Sequence, residues 1–160
     1  MTTPFKILYI CTHNRCRSIL CEAISNAMGE GKLDARSAGS QPSGEVHPLS
    51  LKYLTEIGVA TGTLQSQSWD DHEDFAPDLV VTVCDSAANE SCPLWLGSAQ
   101  KVHWGLADPS KLSGSDDEIR EAFYACIAEI KNRTSALLAL DLGALPLNER
   151  YSALRELGAQ

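Results

Sequence analysis

The sequence predicts an α/β fold, a doubly wound sheet of about four parallel strands joined by helices, and three observations carry that expectation. Short β-branched or apolar runs alternate with longer stretches whose apolar residues recur at three and four. Two runs, Phe5 to Ile10 and Asp78 to Cys84, lack the polar alternation of a half-solvated strand and suit a sheet covered on both faces. The chain has 160 residues, enough for one domain with a single sizeable core.

Phe5-Lys6-Ile7-Leu8-Tyr9-Ile10 is the first strand. From Ser18, the residues Ile19, Leu20, Ala23, Ile24, Ala27 and Met28 mark one buried helix face, and Gly29 and Gly31 end that helix. Arg36-Ser37-Ala38-Gly39 reads as a short second strand or its exit. Pro48 opens a helix through Leu51, Leu54 and Ile57, with Gly58 as its stop. Asp78 to Cys84 is the clearest later strand, and Lys101 to Trp104 is a weaker fourth. Ser115 and Glu118 form a capping box before Ile119, Ala122, Phe123, Cys126, Ile127 and Ile130, the face of a long helix. Beyond about Leu140, Gly143 and Pro146 break the periodicity, and Leu147 to Leu157 form a short terminal helix. The expected division is therefore a domain over 1–140 and a C-terminal extension over 141–160, packed on that domain or trailing from it.

The segment Cys11-Thr12-His13-Asn14-Arg15-Cys16-Arg17-Ser18 joins the first strand to the first helix, so a thiol and a guanidinium share one loop. Backbone N–H groups curled around such a turn, together with the helix dipole, favour a tetrahedral anion. The same field favours a thiolate at Cys11 and makes it a nucleophile. In an α/β sheet, functional loops gather at strand C-termini, where Cys11, Cys84 and Asp108 fall.

Thirteen Lys and Arg against twenty-one Asp and Glu give a net charge of −8, which argues against nucleic acid or an anionic membrane as partner. No apolar run approaches the roughly 20 residues of a membrane helix, and Met1 to Pro4 carries no signal-peptide charge. Six cysteines with this placement read as reduced cytoplasmic thiols rather than a secreted disulfide framework. His13, His47, His72 and His103 are dispersed and lack zinc-ligand spacing with the cysteines. Cys16, Cys21 and Cys126 read as packing thiols, Trp69, Trp95 and Trp104 as core or rim aromatics, and Asp70 to Asp74 as a solvated acidic loop.

Cys11 to Ser18, with Glu22 four residues further on, resembles the phosphate-binding loop of the low-molecular-weight protein tyrosine phosphatase family. Asp108-Pro109 is similar to that family's general-acid motif. The resemblance covers Phe5 to Ile130 and implies a flavodoxin-like sheet. Within the family, the arsenate reductase branch is the better match, through the pair Cys84 and Cys92, the segment Val102 to Pro109, and Cys16 inside the loop. Two features depart from the pattern. His13 stands where the family usually has glycine, and seven residues separate Cys84 from Cys92, one more than in thioredoxin-linked members. The tail past Leu140 has no counterpart in the shortest members.

The resemblance implies a mechanism. Residues Thr12 to Ser18 bind arsenate, or phosphate as a competing oxyanion, with Arg17 as a bidentate fork. Cys11 attacks arsenic, Asp108 protonates the departing oxygen, Cys84 attacks Cys11, and Cys92 carries the disulfide to thioredoxin or glutaredoxin. The resemblance implies no tightly bound cofactor beyond this external thiol reductant. It places Asn14, Glu22, Ser37, Ser68 and Asp70 at a potassium site described for some reductases. Two other functions suit parts of the pattern. A phosphatase of tyrosine or small phosphate esters needs neither Cys84 nor Cys92, and a thiol redox or arsenic sensor does not need Asp108.

Overall fold

A computed structural model of the chain describes residues 4–62, 64–83, 100–106, 109, 113–140 and 146–158. Four strands form one parallel sheet: β1 (Phe5–Ile10), β2 (Leu33–Ala38), β3 (Leu79–Thr82) and β4 (Gln100–His103), in the order β2-β1-β3-β4. The sheet grows in both directions from β1, as in a doubly wound fold, so the loop leaving β1 lies at the switch point where such sheets bind ligands. Helices α1 (Arg17–Met28), α2 (Pro48–Glu56), α3 (Asp116–Ala139) and α4 (Leu147–Gly158) complete the described fold, with a 3₁₀ helix at Trp69–Phe75.

Strand position explains composition. The interior strands β1 and β3 bury Ile7, Leu8, Tyr9, Leu79, Val80 and Val81 completely, which is why these stretches read as unbroken apolar runs. Tyr9 is tolerated there because its hydroxyl meets Ser25 Oγ at 2.8 Å, and burial pushes the phenol pKa up. The outer strand β2 starts at Leu33, earlier than the expected Arg36. Its buried Leu33, Ala35 and Ser37 alternate with the more exposed Asp34 and Arg36, so the period-2 signal is diluted by charge.

The acidic run 70–74 is not a wholly solvated loop, which corrects the expectation. Ser68 accepts from Asp70 N at 3.2 Å, the Asp71 carboxylate accepts from Ser68 N at 3.1 Å, and the resulting 3₁₀ helix buries His72 and Phe75. Arg36 covers the Phe75 ring, with its guanidinium carbon 4.3 Å from the ring centroid.

Beyond the long helix, Leu154 of α4 is fully buried, and its carbonyl accepts from Trp104 Nε1 at 3.3 Å. Trp104 in turn lies 6.1 Å from Tyr9, ring to ring, so the terminal helix meets the central strand through one indole. Among the described residues, no helix is long and apolar enough to cross a membrane.

Candidate active site

The turn between β1 and α1 is built by pulling its carbonyls outward. Gln41 N donates to Thr12 O at 2.9 Å, Ser43 N to His13 O at 3.0 Å and His47 N to Arg15 O at 2.8 Å. In a trans peptide the carbonyl and the following N–H point in opposite directions, and the described residues contain no cis bond. The N–H groups of His13, Asn14 and Cys16 are therefore turned to the opposite side, the inner side of the turn. Residues 40–47 thus act as a strap that shapes a concave set of donors at the N-terminus of α1, where the helix dipole adds partial positive charge. That first turn contains no acidic residue, so no carboxylate of its own neutralises it.

Three residues let the chain close so tightly. Asn14 has φ of 46°, a left-handed conformation that asparagine tolerates better than most residues. It is completely buried; its Nδ2 donates to Ser18 Oγ at 2.8 Å and its Oδ1 accepts from Gln67 N at 2.8 Å. His13, standing at the position expected to need glycine, is not among the residues of positive φ, so its side chain is accommodated without strain. Its ring Nδ1 lies 3.1 Å from Gln41 O; because that carbonyl can only accept, Nδ1 carries the proton. Gly39 is indispensable for close approach: a Cβ there would collide with the Thr12 carbonyl oxygen and lie 2.7 Å from that of Cys11. Gly39 also pairs with Ser68, giving its N–H to Gln67 O and its carbonyl to Trp69 N.

Cys11 directly follows β1 with its N–H on Ala38 O at 3.2 Å, and it is buried. Arg17 opens α1, is half-buried, and donates through Nη1 to Leu106 O at 3.0 Å. The guanidinium is thereby tied to the loop leaving β4, two residues before Asp108 in the sequence. Cys84, Cys92 and Asp108 themselves lie outside the described residues, as does Trp95. Cys16, Cys21 and Cys126 are buried thiols; burial foremost, then the neighbouring Cys126, pushes the Cys21 pKa well up, away from thiolate chemistry.

Glu22 is more than a solvated helix residue. Burial raises its pKa to about 7, opposed by a 2.7 Å hydrogen bond from Ser37 Oγ. Ser37 O accepts from His72 Nε2 at 3.1 Å, and burial lowers the pKa of that histidine, favouring its neutral form. The structure joins Glu22 directly to Ser37, and Asp70 N to Ser68 Oγ beside Gly39. Asn14 reaches the same region through Gln67. Their oxygen donors fit a hard monovalent cation in chemical type. Among the described residues, no group of three or more His, Cys, Asp or Glu is arranged for a metal ion.

Sequence reading missed Gly39, Gln67 and the strap. Gly39 gave a signal as the glycine of Ser-Ala-Gly at the end of a strand, whereas the strap acts through backbone N–H groups that any residue but proline supplies.

Residues 6–147 match the family described as low molecular weight phosphotyrosine protein phosphatase. The arsenate reductase of Halalkalibacterium halodurans is 35% identical over 127 residues, covering 79% of this chain and 90% of that protein. The glutaredoxin arsenate reductase of Synechocystis is 28% identical over 137 residues, covering 84% and 96%. A solved structure described as an arsenate reductase in the phosphate binding state superposes with a TM-score of 0.70 at 26% identity, covering 84% of this chain and 97% of that one. The donor-lined turn between β1 and α1, the strand order and the match over most of the chain agree: this chain belongs to the low molecular weight phosphotyrosine protein phosphatase family.

Proposed function

We propose that the chain is a cytoplasmic arsenate reductase. The observation that carries the oxyanion half of this reading is the outward capture of the Thr12, His13 and Arg15 carbonyls, which turns the intervening N–H groups to one concave side. Arsenate and phosphate present equatorial oxygens that suit such a cradle, with Arg17 as counter-charge. The two relatives named above are arsenate reductases, which supports reduction over simple phosphate hydrolysis.

The chemistry proceeds as follows. Cys11 thiolate displaces an oxygen of arsenate, and Asp108 protonates the departing group so that it leaves as water. Cys84 thiolate attacks Cys11 sulfur, the S–As electron pair passes to arsenic, and arsenite leaves with arsenic reduced by two electrons. The resulting Cys11–Cys84 disulfide exchanges with Cys92, which restores the Cys11 thiolate and leaves Cys84–Cys92 oxidised. A thioredoxin or glutaredoxin dithiol reduces that bond. Asn14, Glu22, Ser37, Ser68 and Asp70 are the residues that would hold potassium, which would supply positive charge favouring ionised Glu22.

The test is arsenate-dependent NADPH oxidation with a thioredoxin or glutaredoxin system, run beside hydrolysis of an aryl phosphate. Cys11→Ser abolishes both activities. Cys84→Ser abolishes arsenate reduction and retains aryl-phosphate hydrolysis, since hydrolysis of a Cys11 adduct uses no second thiol. Cys92→Ser releases a single arsenite per chain and stops with Cys11 bonded to Cys84. A wild type that hydrolyses aryl phosphate and oxidises no NADPH with arsenate is a phosphatase, and the reductase reading is then wrong.

A further inference from the structure

We propose that Ser66, outside the phosphate-binding turn in sequence, is a positioning residue for oxyanion binding, acting through the His13 peptide; this rests on the oxyanion-binding reading above. Ser66 Oγ lies 3.1 Å from His13 O and 3.1 Å from Gly44 N. The direction of both bonds is fixed by chemistry. Gly44 N–H can only donate, so the Ser66 oxygen accepts from it; His13 O can only accept, so the single hydroxyl proton goes there. The hydroxyl therefore links three separate segments: the turn after β1, the strap, and the stretch leading to the 3₁₀ helix.

Gly44 has φ of +84°, a conformation that favours glycine, with open space around the position where a Cβ would stand. The strap bends there and brings its N–H onto Ser66. His13 O also accepts from Ser43 N at 3.0 Å, so this carbonyl takes two donors, one of them a side chain. Thr12 O and Arg15 O receive backbone N–H groups, which no side-chain substitution deletes directly. The His13 peptide is thus a plane of the cradle whose anchoring one side-chain mutation weakens directly.

The consequence falls on the next residue. The far side of the His13 peptide is the Asn14 N–H, and Asn14 is the residue held in the left-handed region. Two donors on the carbonyl polarise the peptide and strengthen that N–H as a donor to an anion. They also keep its direction fixed before the anion arrives, which reduces the ordering cost of binding.

The experiment uses inorganic phosphate as probe, by calorimetry on the full chain, with the Asn14 amide resonance followed in the same titration. Ser66→Ala weakens phosphate binding about fivefold, the loss of one hydrogen bond, and shrinks the phosphate-induced shift of the Asn14 amide. Ser66→Thr keeps a hydroxyl and restores both. Unchanged affinity in a folded Ser66→Ala, or a folded Ser66→Thr no better than alanine, overturns the inference. Should Ser66→Ala fail to fold, Ser66→Thr decides alone: near wild-type affinity and amide shift support the role, and their loss in a folded protein overturns it. A wild type that binds no phosphate sinks the oxyanion reading itself, which is a different result from wild-type binding that Ser66 does not affect.

Discussion

Helices α1 and α3 begin in opposite ways. Ser115 caps α3 by accepting from Glu118 N at 3.2 Å, and Asp116, Asp117 and Glu118 crowd its first turn. Its dipole is answered by the chain's own carboxylates, and that end of the helix asks for no ligand. The first turn of α1 has no acidic residue and begins with Arg17, a cation at the positive end of a dipole. Such an arrangement is unfavourable in isolation and becomes favourable when an anion joins it. In a chain of net charge −8, the difference supports the proposal that this one helix end is kept for an external oxyanion.

Making α1 resemble α3 gives the largest effect. Arg17→Glu places a carboxylate in the first turn and removes the fork; phosphate affinity measured by calorimetry falls at least about a hundredfold, while far-ultraviolet dichroism stays that of the wild type. Next, Gly39→Ala drives a methyl into the carbonyls of Thr12 and Cys11 and forces the turn out of shape. Oxyanion affinity drops by about tenfold or more, and stability by about 1–3 kcal/mol in urea titration.

A third substitution separates the ligand turn from its support. The Glu22 pKa is about 7 in the folded chain against an ordinary 4.5, so folding favours the protonated carboxyl. Its stabilising contribution is complete below pH 4.5 and is lost as pH rises through 7. Glu22→Gln removes this dependence and makes the protein more stable than wild type at pH 8 in sodium buffer, on the order of 1–3 kcal/mol. Potassium bound at the proposed site would narrow the gap by favouring the ionised wild-type side chain. A gap between the two proteins that does not vary from pH 4.5 to 8 would show that Glu22 titrates normally. The smallest effect belongs to the self-sufficient helix end: Ser115→Ala costs about 1 kcal/mol of stability and leaves phosphate affinity unchanged.

Where the sequence was legible, side chains carried the signal. The apolar runs of β1 and β3, the periodic face of α1 as far as Ile24 and that of α3, and the thiol-to-guanidinium spacing of Cys11 and Arg17 all follow from residue type; Ala27 and Met28, expected on the buried face of α1, are instead exposed in its last turn. The left-handed residue in the turn is Asn14, a type suited to that role, and His13 fits beside it at ordinary φ. What escaped was carried by backbone or by tertiary packing. Gln41, Ser43 and His47 serve through N–H groups and so carry no compositional mark. Glu22 looks like any helical glutamate until the surrounding burial raises its pKa against the opposing hydrogen bond from Ser37. Phe75 and His72 were hidden because the four carboxylates Asp70, Asp71, Glu73 and Asp74 drowned a short 3₁₀ pattern that buries only two side chains.

The contact between Trp104 and the Leu154 carbonyl gives the molecule an optical reporter. An indole that is 1% exposed and 6.1 Å from Tyr9 accepts excitation energy from that phenol and emits at short wavelength. Because the indole N–H is held by the terminal helix, loosening α4 shifts the emission to the red before the sheet melts. With Trp69 and Trp95 replaced by phenylalanine, the C-terminal segment can therefore be watched from the light emitted at the core, with no label added.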